Sequence, residues 1–142
     1  MKRLLLLLLF TNTILVGQSR DELKRKYGQP VSETFTVRPG ILVTATYGPA
    51  GKTVELVIAT QNTAIIKSRA GSVITKETAT AIIDELVPKG ERGKYVIGEF
   101  DHITCLPDDD CNGVSEHYEK LTIYYNAVPE GKVHYAVVRW KQ

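Results

Sequence analysis

Ile41-Leu42-Val43-Thr44-Ala45-Thr46-Tyr47-Gly48-Pro49-Ala50-Gly51-Lys52-Thr53-Val54-Glu55-Leu56-Val57-Ile58 is written for a β-hairpin. Ile41, Val43, Ala45 and Tyr47 recur at a period of two, with Thr44 and Thr46 on the other face. Gly48-Pro49-Ala50-Gly51 is a tight connection, and Val54, Leu56 and Ile58 line the returning strand. Upstream the same period holds: Thr34, Thr36 and Arg38 alternate with Phe35 and Val37 before Pro39-Gly40 turns the chain. An antiparallel meander is therefore expected, one face apolar and the other polar.

A short helix precedes it over Arg20–Tyr27. Asp21 and Glu22 lie in its first turn and Lys24, Arg25 and Lys26 in its last, which suits the helix dipole. Gly28 and Pro30 stop it. Downstream, residues 60–72 are polar, with Ala64-Ile65-Ile66 able to add a short strand. Thr75 then caps a second helix whose stripe is Ala79, Ile82, Ile83 and Leu86, ended by Pro88 and Gly90. A strand from Lys94 to Ile103, an acidic loop from Cys105 to Glu119, and strands Leu121–Tyr125 and Val133–Trp140 complete the chain. The expectation is an α+β domain: one antiparallel sheet of about six strands with two helices on one face. Residues 20–60 and 75–142 repeat the order helix, strand, connection, hairpin. Thr44-Ala45-Thr46-Tyr47 leads to Gly51-Lys52, as Thr122-Ile123-Tyr124-Tyr125 leads to Gly131-Lys132.

The first 19 residues set the compartment. Lys2 and Arg3 precede an apolar run, Leu4–Phe10, and Gly17, Gln18 and Ser19 form a small or polar exit, the order of a secretory signal peptide. The run is far short of the ~20 apolar residues that span a bilayer. A secreted or periplasmic domain over 20–142 is expected, cleaved best after Ser19. The formal charge of +2 belongs to the signal, because the remainder balances 16 basic against 16 acidic residues. Residues 101–119 carry six acidic side chains and no Lys or Arg, which argues against nucleic acid.

The short helix ending in Gly28-Gln29-Pro30, followed at once by a meander, resembles two groups of small exported bacterial domains. One is the small lipoprotein subunit of the outer-membrane β-barrel assembly machinery; the other is the β-lactamase-inhibitor-protein-like fold. The likeness covers roughly 20–60 and, less clearly, 75–140. It implies a tandem helix–meander domain that works by binding proteins, and it supplies no active-site residue. The lipoprotein's anchoring Cys is absent.

Cys105 and Cys111, the only cysteines of an exported chain, predict a disulfide that pins the acidic loop. A thiolate zinc site with His102 and His117 fits no compact zinc spacing. Residues 108–119 match the EF-hand loop pattern, with Asp108, Asp110, Asn112, Val114, Glu116 and Glu119 as oxygen donors for Ca2+ and Gly113 at the turn. Strand-like flanks exclude a helix–loop–helix domain. A lone calcium loop and a plain acidic turn are the two readings left.

Catalytic sets are thin: His102 and His117 are the candidate acid–base groups of a hydrolase, and no nucleophile elbow or phosphate loop accompanies them. Tyr124, opposite Leu121, Ile123 and Tyr125, and Trp140, sharing a face with His134, Ala136 and Val138, either form a protein-binding surface or close the edge of a core. The function expected is a non-catalytic exported domain that binds another envelope or extracellular protein. A calcium-stabilised domain is the alternative, and a hydrolase the weaker one.

Overall fold

A computed structural model of the protein describes residues 19–61, 73–101, 112–128 and 130–142. Helix α1 is Arg20–Tyr27. A first meander follows: β1 (Ser32–Arg38), β2 (Ile41–Tyr47) and β3 (Thr53–Thr60). The two-residue strand β4 (Ile74–Thr75) leads into α2 (Lys76–Leu86) and a single 3-10 turn, Lys89–Glu91. The second meander is β5 (Tyr95–Asp101), β6 (Asn112–Tyr118), β7 (Leu121–Val128) and β8 (Lys132–Trp140).

Among the described residues all pairings are antiparallel, in one sheet of eight strands ordered β1-β2-β3-β8-β7-β6-β5, with β4 also paired to β8. The two meanders meet where β3 pairs with β8. This is the α+β class expected, with more strands than about six. The excess comes from β4 and from β6, which occupies the second half of the stretch read as an acidic loop. Charged residues hide the alternation there, yet Val114 and Tyr118 pack against the core.

The sequence punctuation does what its chemistry dictates. Ser19 caps α1 through a capping box with Glu22, and Gly28 ends the helix at φ 86°, its N–H bonded to the Lys24 carbonyl. Thr75 caps α2, its hydroxyl accepting from the Thr78 N–H at 3.1 Å. Ala79, Ile82 and Ile83 are buried as the stripe requires. Leu86 is 41% exposed, and Val87, just past the helix, is buried instead.

The core lies between α2 and the middle of the sheet. One row across seven strands shows how it is bounded: Phe35, Val43, Ile58, Ala136, Tyr125, Val114, Phe100. Val43, Ile58, Ala136 and Tyr125 are at most 2% exposed, whereas Phe35 is 47% and Phe100 82% exposed. The reason is width. Seven strands at ~4.8 Å spacing span nearly 30 Å, and one helix of ~10 Å diameter covers only the centre. Two helices on this face were expected; among the described residues α2 supplies the buried helical contacts. Among the described side chains of α1 none is buried: Leu23 is 42% and Tyr27 70% exposed. Each aliphatic side chain wholly buried under α2 contributes about 1.5–3 kcal/mol.

Polar contacts fix α2 on the sheet. Arg92 is buried, donating from Nε to the Val87 carbonyl at 2.8 Å and from Nη2 to Asp84. Its guanidinium also lies 5.7 Å from the centre of the Tyr118 ring. Burial pushes the Tyr118 phenol up, against the opposing hydrogen bond from Arg92. At the other margin Arg38 of β1 pairs with Glu85 of α2 at 2.9 Å.

Candidate functional site

Side chains alternate across a sheet, so each core row has a neighbour on the opposite face. Thr34, Thr44, Val57, Val137, Tyr124, Ser115 and Glu99 form one such row, and Thr46, Glu55, Arg139, Thr122, His117 and Ile97 the next. Among the described residues no helix lies on this face. It is rich in threonine toward β1 and β2, where the Thr34 and Thr44 hydroxyls are 2.9 Å apart. Aromatic and cationic groups gather toward β7 and β8.

There, Tyr124 and Tyr135 place their ring centres 6.1 Å apart at a tilt of 45°. With Thr122, Val137, Arg139, Trp140 and Lys141 they line an open cleft of about 470 Å³. Arg139 is held by Glu55, whose Oε2 accepts from Nε at 2.9 Å and from Nη2 at 2.6 Å. Lys141 donates to the Tyr118 carbonyl at 2.6 Å. Behind Thr122 stands a polar chain: His117 Nδ1 is 3.1 Å from the Thr122 hydroxyl, and Nε2 is 3.5 Å from Glu99. Clefts of about 530 Å³ beside Pro30, Val31 and Tyr47, and of about 450 Å³ beside Gly40, Ile41 and Val73, lack this pairing of aromatic walls with two cations.

The residues singled out from sequence fall as follows. Tyr124 and Trp140, 16 positions apart, both border this cleft, but from opposite faces of the sheet: Tyr124 stands on the uncovered face, and Trp140, paired with Leu121, packs against the core. Trp140 shares a face with Ala136 and Val138 as expected, but His134 does not fix that face. The register shift between β7 and β8 passes from Asn126↔Tyr135 to Ala127↔Val133, which leaves His134 as the extra residue of a bulge. That bulge turns Tyr135, Val137 and Arg139 to the uncovered side. Their own alternation was the signal in the sequence, and the bulge concealed it.

His102, Cys105, Asp108, Asp110 and Cys111 lie outside the described residues, so the expected disulfide and the first half of the acidic loop do too. Asn112 opens β6. Val114 packs against the core, Glu116 accepts from the Tyr118 hydroxyl at 3.2 Å, and Glu119 accepts from the Lys94 N–H at 3.0 Å. This half of the loop is extended, so its oxygens are strung along a strand. Among the described residues no three His, Cys, Asp or Glu side chains gather at a point. No described helix is long and apolar enough to cross a membrane.

No protein-family model matches the chain, and no curated protein matches it. Among solved structures, a DUF4309 family protein, YjgB from Bacillus subtilis subsp. subtilis str. 168, is similar over 86% of this chain and 78% of its own. The identity is 7% and the TM-score 0.37, too distant a likeness to carry an argument about fold or activity.

Proposed function

We propose that this is a non-catalytic binding domain, exported by residues 1–19, that holds another envelope or extracellular protein against the uncovered face of its sheet. The observation that supports this reading is the cleft walled by Tyr124 and Tyr135 on the face of the sheet opposite α2. Tyrosine offers a large rigid contact area with a polar tip, and such residues dominate binding energy at protein interfaces. Arg139 and Lys141 add two cations, so the favoured partner presents a carboxylate beside an apolar or aromatic side chain. The Glu99–His117–Thr122 chain serves as a row of hydrogen-bonding groups at the margin of the contact.

A photo-crosslinking residue at Val137, on this face, tests the reading in the exporting cell. It is expected to trap one discrete partner, and the same residue at Glu77 on α2 to trap none. The double substitution Tyr124→Ser and Tyr135→Ser should weaken a purified complex by roughly 30-fold or more, the scale of a hot spot. Equal trapping from both faces, or binding indifferent to the loss of both tyrosines, would overturn it.

A further inference from the structure

We infer that α1 is a membrane-surface helix: its exposed side lies on an anionic lipid bilayer. This surface is separate from the cleft of Tyr124 and Tyr135, and its geometry does not depend on the function proposed for that cleft.

Leu23 and Tyr27 are four residues apart, so they stand one above the other on a single side of α1. Leu23 is 42% and Tyr27 70% exposed, and Val31, immediately before β1, is 77% exposed. At about 100° per residue, Lys24 and Lys26 fall about 80° to either side of the Leu23–Tyr27 stripe. Asp21, Glu22 and Arg25 fall about 120° or more from it, on the other side of the helix. An apolar stripe with a cation on each flank and both carboxylates turned away suits a helix lying in the plane of a bilayer interface. Lys26 Nζ stands 5.0 Å from the centre of the Tyr27 ring, so its stem follows the stripe. Lys24, half-buried, borders the cleft beside Val31 and Tyr47 and marks where α1 meets the rest of the domain. Among the described residues neither lysine joins an ion pair. Glu22 is already engaged, its carboxylate accepting from the Ser19 N–H at 2.8 Å.

Size and charge select a bilayer over a protein as the occupant. A helix of eight residues is about 12 Å long and about 10 Å wide. Contact through it falls well short of the roughly 1,000 Å² that a stable protein interface buries. A bilayer interface needs no matched pocket and takes side chains by depth. Leu23 and Tyr27 enter the headgroup boundary, while Lys24 and Lys26 stay level with the phosphates. Each cation held near an anionic surface strengthens binding about fivefold. The leader read in residues 1–19 ends where α1 begins, so export brings this helix to a bilayer ahead of the rest of the domain; this one argument rests on the export reading. Two apolar side chains and two cations hold weakly, and binding in millimolar lipid is expected.

Flotation of the chain, purified after export, with lipid vesicles tests this. Vesicles of equal parts phosphatidylglycerol and phosphatidylcholine are expected to carry it at low salt and to release it when salt is added. Vesicles of phosphatidylcholine alone should leave it behind. Lys24→Gln with Lys26→Gln weakens binding about 25-fold, and Leu23→Ser with Tyr27→Ser at least about tenfold. Both variants should melt as the wild type does, because none of the described side chains of α1 is buried. Tyr124→Ser with Tyr135→Ser leaves vesicle binding unchanged, which separates this surface from the cleft. Equal binding to neutral vesicles, no binding to either kind, or binding indifferent to the α1 substitutions would each overturn the inference. So would a photo-crosslinking residue at Tyr27 that traps one discrete protein in the exporting cell.

Discussion

Arg92 and Tyr125 show what single side chains decide in this molecule. Arg92 is 2% exposed and ties the end of α2 to the turn before β5 through Val87 and Asp84. Breaking a buried ion pair typically costs 3–5 kcal/mol, but the Asp84 side chain is 37% exposed and water can take over part of its charge. Arg92→Ala is therefore expected to cost about 2–3 kcal/mol in urea unfolding, and Asp84→Asn less than half of that. Nothing in the sequence marks Arg92 out: it stands in a Glu-Arg-Gly-Lys turn that reads as solvent-exposed, and only the packed α2 gives it a role. Tyr125 is different, since its alternation with Leu121 and Ile123 already places it inward. Burial pushes its phenol up to about 12 from an ordinary value near 10, against the opposing hydrogen bond with Thr80. Because the folded value is the higher one, the stabilisation is complete below about pH 10 and is lost as pH rises from there toward about 12. The wild type should thus lose about 1 kcal/mol more than Tyr125→Phe between pH 9 and pH 11, read by urea unfolding at each pH.

At the scale of elements, local chemistry announced most boundaries and tertiary pairing decided the rest. The β2–β3 hairpin, the Thr75 cap, the Gly28 stop and the ends of β8 were legible because turn residues, caps and period-two alternation act within a few residues. β6 was not legible: Asn112-Gly113-Val114-Ser115-Glu116-His117-Tyr118 is polar enough to read as loop, and it becomes a strand because β5 and β7 supply hydrogen bonds on both sides. The helix α1 was read correctly as a helix, though none of its described side chains is buried. Its one strongly apolar position in mid-helix, Leu23, is too little to bury against a sheet. The β7–β8 turn offers a test of this local chemistry. Glu130 and Gly131 both have positive φ, 68° and 70°, and a side chain at the first position is strained where Asn is not. Glu130→Asn should raise the melting midpoint by a few degrees, since the exposed Glu130–Lys132 pair it removes is worth little.

At the scale of the whole molecule, the calcium alternative meets the sheet. An ion bound at 100 times its dissociation constant adds about 2.7 kcal/mol to stability. Asn112–Tyr118 rises along β6 for about 20 Å, far beyond the reach of one ion's coordination shell. Glu116 and Glu119 are engaged with Tyr118 and Lys94. The expected outcome is that the midpoint in millimolar Ca2+ matches the midpoint in EDTA; a Ca2+-specific rise abolished by Glu119→Gln would instead establish the ion site. The sequence by itself determined the class of secondary structure, the meanders, the caps and the apolar face of each strand, since those follow from backbone sterics and periodicity over a few residues. Tertiary structure alone decided that β3 joins β8, that the sheet is too wide for α2 to cover, and that Tyr124 and Tyr135 wall one cleft. Those outcomes depend on pairing and register between segments dozens of residues apart, which no local pattern encodes.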